Sequence, residues 1–238
     1  ALEELRERPE VEHIILLLPW SVSLSEWCAR WQHQQGHRPV GAHRLHWLGV
    51  CLRAERLEMH LRTSERVDDT SWAERVVETI ETATTIILNT KSPEAVTLCR
   101  ALNPRGTFQL LESVRAPKRP QVQQPSAWTA LINEAPPKPQ PGVQFFTFTA
   151  RRPFDKDRLS AWLREPLDGL VRVGGFLWVA DFPHIVARLS IAGAHRSWEP
   201  AGTWWIGIKR SHWPTDPKKL ARIQAQWHPD FGDRLQAL

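Results

Sequence analysis

The sequence predicts an α/β fold for the first half of the chain and an α+β fold for the second half. In the first half, unalternating apolar runs of strand length alternate with segments of helical periodicity, as in parallel sheets covered on both faces. A proline-rich segment then interrupts the chain, and shorter mixed elements follow it. These observations predict two domains, at 1–115 and 143–238, joined by a linker at 116–142.

The first domain is predicted from seven segments in chain order. Continuous apolar runs predict strands at 14–18, 45–52, 85–89 and 107–111, and helical spacing predicts helices at 24–32, 72–83 and 93–102. Ligands of such sheets bind beyond the carboxyl ends of the strands. Candidate binding positions are therefore residues 19–21 and 89–92.

The linker contains seven of the nineteen prolines of the chain. Proline lacks a backbone N–H and restricts the residue before it, so a segment this rich in proline cannot join the interior of a sheet. We expect a semi-rigid spacer, interrupted by a short helix around 128–132.

The second domain is predicted from alternating strands and amphipathic helices. Strands are expected at 143–149, 170–180, 185–192 and 204–208, and helices at 155–164 and 216–227. Asp155 is placed to cap the first of these helices. The order is that of a ferredoxin-like split unit whose closing strand is missing. Gly174 and Gly175 fall within a strand, where glycine marks a bulge or a close backbone approach.

Composition excludes several classes of protein. There is no apolar run of about 18 residues to span a bilayer, and the charged N-terminal residues do not resemble a signal peptide, so we expect a cytoplasmic protein without a membrane partner. The net charge is +5, with 14 Lys/Arg against 9 Asp/Glu after residue 142. The cations form no dense run, so nucleic-acid binding is disfavoured. Cys28, Cys51 and Cys99 form no disulfide framework and are expected to be buried free thiols.

Three motifs in the second half occur in a distinctive order. They are Arg-Arg-Pro-Phe at 151–154, Arg-Val-Gly-Gly-Phe-Leu-Trp at 172–178 and Trp-His-Pro-Asp-Phe-Gly-Asp-Arg at 227–234. Together they resemble the C-terminal domain of the CobW family, whose members include zinc metallochaperones and cobalamin synthesis proteins. The resemblance implies a GTPase domain of the phosphate-loop type before this domain, a role in zinc or cobalt homeostasis, and a client metalloprotein as partner.

The resemblance also implies a guanine-binding motif after the strand at 85–89. The family pattern is Asn-Lys-x-Asp, in which the Asp accepts two hydrogen bonds from guanine; this sequence has Asn89, Thr90, Lys91 and Ser92. A serine cannot act as a charged bidentate acceptor, so we expect selectivity for guanine to weaken by about 2–3 kcal/mol. The motif is thus predicted to be degenerate.

Other parts of the family's nucleotide machinery are missing from the sequence. The strand at 14–18 is not followed by a carboxylate, and neither a G-x-x-x-x-G-K-[ST] loop nor the family's CxCC metal motif occurs. We expect a chain that is incomplete at both ends, a degenerate paralogue, or both. GTP and magnesium are expected as cofactors only if the complete protein carries a phosphate loop, and this chain alone is predicted not to hydrolyse GTP.

One group of residues has the chemistry of a zinc site. Two histidine pairs lie at helical spacings close to a cysteine, and imidazole and thiolate are common zinc ligands. The candidate ligands are Cys28, His33, His37, His43 and His46. The alternative is a solvated polar helix end, because a glycine and a proline interrupt the segment.

The leading functional prediction is a CobW-like GTP-binding metallochaperone homologue with a degenerate or missing nucleotide site. The alternative is a non-enzymatic protein-interaction module built on the C-terminal domain. A basic nucleic-acid binder is a further rival, which a steep salt dependence of affinity would reveal.

Overall fold

The computed structural model describes residues 14–35, 45–115, 140–167 and 169–238, and of residues 32–35 it describes the backbone alone. The described residues fall into two compact units. The first unit contains the parallel sheet and consists of the described residues up to His60 and from Glu65 to residue 115. The second unit contains Leu61–Ser64 and the described residues after the proline-rich segment. Within these ranges no helix has the length and apolarity needed to cross a membrane.

The elements of the first half of the described chain follow the predicted order, except that the strand predicted at 14–18 is absent and further elements are present. The helices are α1 (Leu24–Gln35), α2 (Leu57–Arg62), α3 (Trp72–Thr82) and α4 (Pro93–Leu102). The strands are β1 (Gly49–Leu52), β2 (Arg66–Val67), β3 (Thr70–Ser71), β4 (Thr85–Leu88) and β5 (Thr107–Leu110). Helix α2 and the small β2–β3 hairpin were not predicted.

A three-stranded parallel sheet in the order β1-β4-β5 forms the centre of the first unit. Val50 pairs with Ile86, which pairs with Phe108 on the other side. All four residues of β4 are buried, which explains why its sequence is continuously apolar rather than alternating. The prediction of a parallel α/β sheet is confirmed.

Helices α3 and α4 begin at serine caps. The Ser71 hydroxyl accepts a hydrogen bond from Glu74 N at 3.1 Å, and the Ser92 hydroxyl accepts one from Ala95 N at 3.2 Å. Pro93 occupies the first turn of α4, where its missing N–H costs nothing. These local features set the start of each helix, which is why both were predictable.

Polar contacts from α3 hold its neighbours in place. The Glu78 carboxylate accepts hydrogen bonds from the Ser23 hydroxyl at 2.7 Å and from both the hydroxyl and the N–H of Ser25, which fixes the start of α1. The buried Asn103 amide donates to Ile80 O and Ala83 O, both at 2.7 Å. Such buried side-chain to backbone bonds satisfy carbonyls that end the helix.

The predicted strand at 14–18 is wrong. These residues have no regular secondary structure and pair with none of the described strands. Ile15 and Leu17 are 83% and 93% exposed. An apolar run indicates a preference for burial, whereas a strand also requires a paired neighbour for its backbone N–H and C=O groups.

The elements of the second half form an antiparallel sheet with two helices. The strands are β6 (Thr149–Ala150), β7 (Arg172–Leu177), β8 (Ile185–Ala192), β9 (His195–Thr203) and β10 (Gln236–Ala237), and the helices are α5 (Lys156–Trp162) and α6 (Pro217–Ala225). The sheet order is β6-β10-β7-β8-β9. All four neighbouring pairs are antiparallel.

The core of the second unit lies between the sheet and α5. Leu159 of α5 is buried with Leu177, Leu189 and Ile191 of the sheet. Asp155 caps α5 by accepting from Arg158 N at 2.9 Å, as predicted.

Three predictions in the second half are wrong. The closing strand is present as β10, inserted between β6 and β7. Residues 204–208 are not a strand but contain a short 3-10 turn, and the third long strand is β9, which follows β8 after a tight turn at Gly193 (φ 52°). Of the predicted strand at 143–149, Thr149 alone lies in β6. The helix predicted around 128–132 lies outside the described residues.

The backbone of β10 passes close to Gly175 of β7. A Cβ atom added to Gly175 would overlap the carbonyl oxygen of Ala237. The expected close backbone approach is therefore confirmed at Gly175, and it explains why any larger residue would displace the closing strand.

We predict that Gly175→Ala lowers the free energy of unfolding by about 1–3 kcal/mol, because the added methyl group forces β10 away from β7. Urea denaturation measures the change. Gly202→Ala is the matched control, since Gly202 has nearly the same φ (157° against 159°) and nothing within 4 Å of its added Cβ. Equal destabilisation by the two substitutions would contradict the close approach.

The three thiols differ in burial. Cys51 is exposed, whereas Cys28 and Cys99 are completely buried, so the expectation of buried thiols fails for Cys51. Burial raises the pKa of Cys99 to about 12, and burial followed by the charge of Glu78 raises the pKa of Cys28 to about 12. A buried thiol that stays protonated does not react as a thiolate.

We predict that one thiol in three reacts with a disulfide reagent at pH 8 in the native protein, and that all three react in denaturant. Cys51→Ser should abolish the native reaction. The raised pKa values stabilise the folded state below pH 9 and lose that contribution as the pH rises toward about 12. Rapid native labelling of Cys28 or Cys99 would contradict the burial.

Candidate functional site

The carboxyl edge of the parallel sheet brings together the segments that follow its strands. A 3-10 turn, Ala54–Arg56, follows β1, the four residues from Asn89 to Ser92 follow β4, and a second turn, Leu111–Ser113, follows β5. Ligands of parallel α/β sheets bind at this edge. The predicted guanine motif therefore lies where a ligand site of this fold would be.

Asn89 ties the end of β4 to the end of β1. Its Oδ1 accepts from Ala54 N at 2.9 Å, its Nδ2 donates to the Glu55 carboxylate at 3.1 Å, and its backbone N donates to Leu52 O at 3.1 Å. The side-chain amide is thus engaged on both its oxygen and its nitrogen. Asn89 holds the two loops of the edge together.

Glu55 is an exposed carboxylate at this edge. A hydrogen bond from its own backbone N–H, followed by the bond from Asn89, lowers the pKa of the Glu55 carboxyl. The group is ionised at neutral pH and places a negative charge beside the motif. Glu55 was not among the predicted site residues, although its position just after a predicted strand would have indicated it.

Ser92 acts as the cap of α4. Its hydroxyl accepts from Ala95 N and donates to the Glu94 carboxylate at 3.1 Å. Thr90 and Lys91 are exposed between Asn89 and this cap. The four motif residues are contiguous at the edge, and a role in guanine binding stays a prediction.

The other predicted binding position, residues 19–21, is occupied by packing contacts. The ring of Trp20 lies 5.7 Å from that of Trp72. The Ser21 carbonyl accepts from Arg75 Nη2 at 3.5 Å. These contacts attach the segment to α3.

The described residues bring no metal site together. Cys28 packs in a buried cluster with Leu24 and Leu48, and its raised pKa opposes the thiolate form that zinc requires. His46 is partly buried. Among the residues that the structure describes, no three His, Cys, Asp or Glu side chains converge as metal ligands do.

The remaining candidate ligands cannot be placed. The side chain of His33 and all of His37 and His43 lie outside the described residues. A zinc site formed by the histidines therefore stays a prediction.

The motif at 227–234 organises the closing strand. The Asp233 carboxylate accepts from Trp205 N at 2.8 Å and from Ile206 N at 3.0 Å, and so caps the 3-10 turn. Arg234 Nε donates to Pro183 O at 2.8 Å, and its guanidinium lies 4.7 Å from the centroid of a Trp178 ring. These residues position β10.

The first motif of the second half meets the third. Arg151 donates to the carbonyls of Arg234 and Gln226 at 3.2 and 3.3 Å. A side-chain to backbone hydrogen bond therefore joins the motif at 151–154 to the motif at 227–234. Their contacts are to backbone rather than to an open ligand site.

Comparison with known proteins identifies relatives of this chain and a family model that matches its second half. Residues 143–237 match the family model described as the cobalamin synthesis protein cobW C-terminal domain. Over 193 residues, the chain is 32% identical to a protein named as a zinc chaperone from Mycobacterium tuberculosis, covering 76% of this chain and 48% of that protein. The chain spans about half the length of this curated relative.

A second relative matches a shorter part. The zinc-regulated GTPase metalloprotein activator 1 of Dictyostelium discoideum is 33% identical over 101 residues, which cover 41% of this chain and 21% of that protein. Among solved structures, the Zn(II)-bound YjiA GTPase from E. coli aligns with a TM-score of 0.30 and 15% identity, over 74% of this chain and 57% of that one.

These matches meet the expectation drawn from the three motifs of the second half. The matched range begins just after the proline-rich segment and includes all three motifs. The resemblance to the CobW family is confirmed: residues 143–237 match the cobW C-terminal domain, and a relative of the chain is named as a zinc chaperone.

Proposed function

We propose that this chain is part of a CobW-like metallochaperone homologue that acts in metal homeostasis, with zinc or cobalt as the metal. The observation that carries the proposal is a cobW C-terminal domain preceded by a parallel α/β sheet in one chain, which is 32% identical to a zinc chaperone. In this proposal the partner is a client metalloprotein in the cytoplasm. In this proposal the chain has two domains, at 1–115 and 143–238, and a linker at 116–142.

The proposed nucleotide site is degenerate. The amide of Asn89 is bonded to Ala54 and Glu55, and Ser92 offers a helix-capping hydroxyl rather than a carboxylate. A guanine base would lack the charged bidentate acceptor of the family pattern. The first half is a GTPase-like remnant in this proposal, and GTP with magnesium belongs to a protein that carries a phosphate loop as well.

The proposed zinc ligands are the histidines His33, His37, His43 and His46. Neutral imidazole binds zinc at physiological pH without the deprotonation that a buried thiol would need. Cys28, the fifth candidate, is the least suited because it is fully buried beside apolar side chains. Zinc would be bound as cargo for transfer.

A non-enzymatic interaction module is the second candidate function. The second unit has its closing strand and its own core. A folded domain without nucleotide chemistry would suffice to dock a partner. Partner binding that ignores both zinc and GTP would favour this candidate.

Nucleotide selectivity tests the degenerate motif. We predict that the chain binds GTP no better than ATP in ligand-detected NMR titrations, and that Ser92→Asp gains a preference of about tenfold or more for GTP because a carboxylate accepts both guanine N–H groups. Asp is also a good helix cap, so α4 should be preserved.

Ser92→Asn is the matched control, because Asn caps a helix but carries no charge. It should leave GTP and ATP equivalent. A strong preference for GTP in the unsubstituted chain, or none in Ser92→Asp, would contradict a degenerate guanine site at this position.

Zinc stoichiometry tests the histidine site. We predict that the double substitution His33→Ala/His37→Ala halves the zinc retained after desalting, measured by atomic emission, because it removes one of the two proposed chelating pairs. Cys28→Ala should leave the stoichiometry unchanged. Full zinc retention by the double histidine variant would eliminate this site.

A further inference from the structure

One exposed stretch of the second unit is strongly basic. Between Trp205 and Trp227 the sequence has five Lys and Arg residues and one Asp, a net charge of +4, whereas the whole chain carries +5. The cationic side chains of this stretch, together with one histidine, are all exposed. We call these residues the basic patch: Lys209, Arg210, His212, Lys218, Lys219 and Arg222.

Acidic side chains do not neutralise the basic patch. Within the described part of the chain, none of its five Lys and Arg residues takes part in an ion pair. The nearby Asp216 carboxylate accepts from the backbone N–H groups of Lys218 and Lys219, at 2.8 and 3.3 Å, and so caps α6. The positive potential of the surface is therefore available to a partner.

Tryptophan packing supports the segment before α6 and one cation of the patch, Arg210. The Trp213 ring lies 6.1 Å from Trp205 and 5.3 Å from Trp227, and its Nε1 donates to Ile208 O at 3.0 Å. The Arg210 guanidinium lies 5.5 Å from the centroid of a Trp213 ring. A preorganised surface loses less conformational entropy when it binds.

The geometry favours a peptide over a nucleic acid. The rings of Trp205, Trp213 and Trp227 pack on one another and under Arg210, so they do not offer the stacking platform used by single-strand binders. Helix α6 has nine residues and is about 13.5 Å long, which is short for tracking a duplex backbone.

The spacing of the cations suits an extended acidic segment. Lys218 and Arg222 are one helical turn apart, with Cβ atoms about 5–6 Å from each other. Alternate side chains of an extended peptide are separated by about 6.6 Å and lie on the same face. Two carboxylates at alternate positions can therefore meet both cations.

We propose that the basic patch docks an extended acidic segment of a partner protein, with alternate Asp or Glu carboxylates bound by Lys218 and Arg222. Arg210, held over Trp213, contacts the segment beyond the helix. The contact is electrostatic, so it speeds association and weakens as salt screens the charges. This docking depends on neither zinc nor nucleotide.

The test uses the complete chain and a fluorescein-labelled peptide of alternating Glu and Gly residues, without zinc or nucleotide. Fluorescence anisotropy measures the affinity. Lys218→Gln/Arg222→Gln should weaken binding by about tenfold or more because it removes two convergent charges. The control, Arg158→Gln/Arg164→Gln, removes two exposed charges elsewhere in the same unit and should change affinity by less than about twofold.

Equal losses in the two variants, or no binding of the peptide by the unsubstituted chain, would overturn the proposal. Tighter binding of a single-stranded oligonucleotide than of the peptide at the same salt concentration would overturn it in favour of nucleic acid. Circular dichroism confirms that both variants keep the fold, since all four positions are exposed. Zinc and nucleotide assays are separate, so a failure here leaves the proposed metal function standing.

Discussion

The antiparallel sheet of the second unit depends on the insertion of its last strand. Strand β10 lies between β6 and β7 and supplies pairing to both. The missing side chain of Gly175 leaves room for the Ala237 carbonyl, while Asp233 and Arg234 hold the chain just before the strand. Without this insertion β6 would lose its partner among the described strands, and the edge of β7 that faces β10 would be left unpaired.

The motifs that reveal the family are largely the residues that secure this strand. Arg151 and Arg234 contact backbone carbonyls, and Asp233 caps a turn that is distant in sequence. Their chemistry is hydrogen bonding to backbone N–H and C=O groups. The family resemblance of these motifs therefore indicates the fold of this half. The proposed metal ligands are other residues.

The sequence predicted elements whose causes are local. Helix α4 was predicted with its observed bounds from helical spacing alone, and Ser92 and Pro93 set its start in the structure; β4 was predicted because it is apolar throughout, and it is buried. The turn at 205–207 was mistaken for a strand because its residues favour sheets, whereas the Asp233 carboxylate that caps it lies 28 residues from Trp205 in the sequence. No local pattern could show that contact.

In the candidate sites too, features with a local cause were predictable from the sequence, whereas contacts between distant segments were not. Asn89 and Ser92 were placed correctly at the edge of the sheet, but the bonds of Asn89 to Ala54 and Glu55 depend on strand order. The burial of Cys28 was predictable, since it lies one helical turn from Leu24 on the same face. Ligand type made Cys28 a candidate zinc ligand as well, although a buried free thiol was the expectation for it.

Zinc affinity, measured in competition with a chromophoric chelator, tests whether this chain handles metal as we propose. We expect the chain to withdraw zinc from a chelator of micromolar affinity and to release it to an excess of a stronger one, as transfer of cargo requires. Failure to take zinc from the weak chelator would contradict metal handling by this chain.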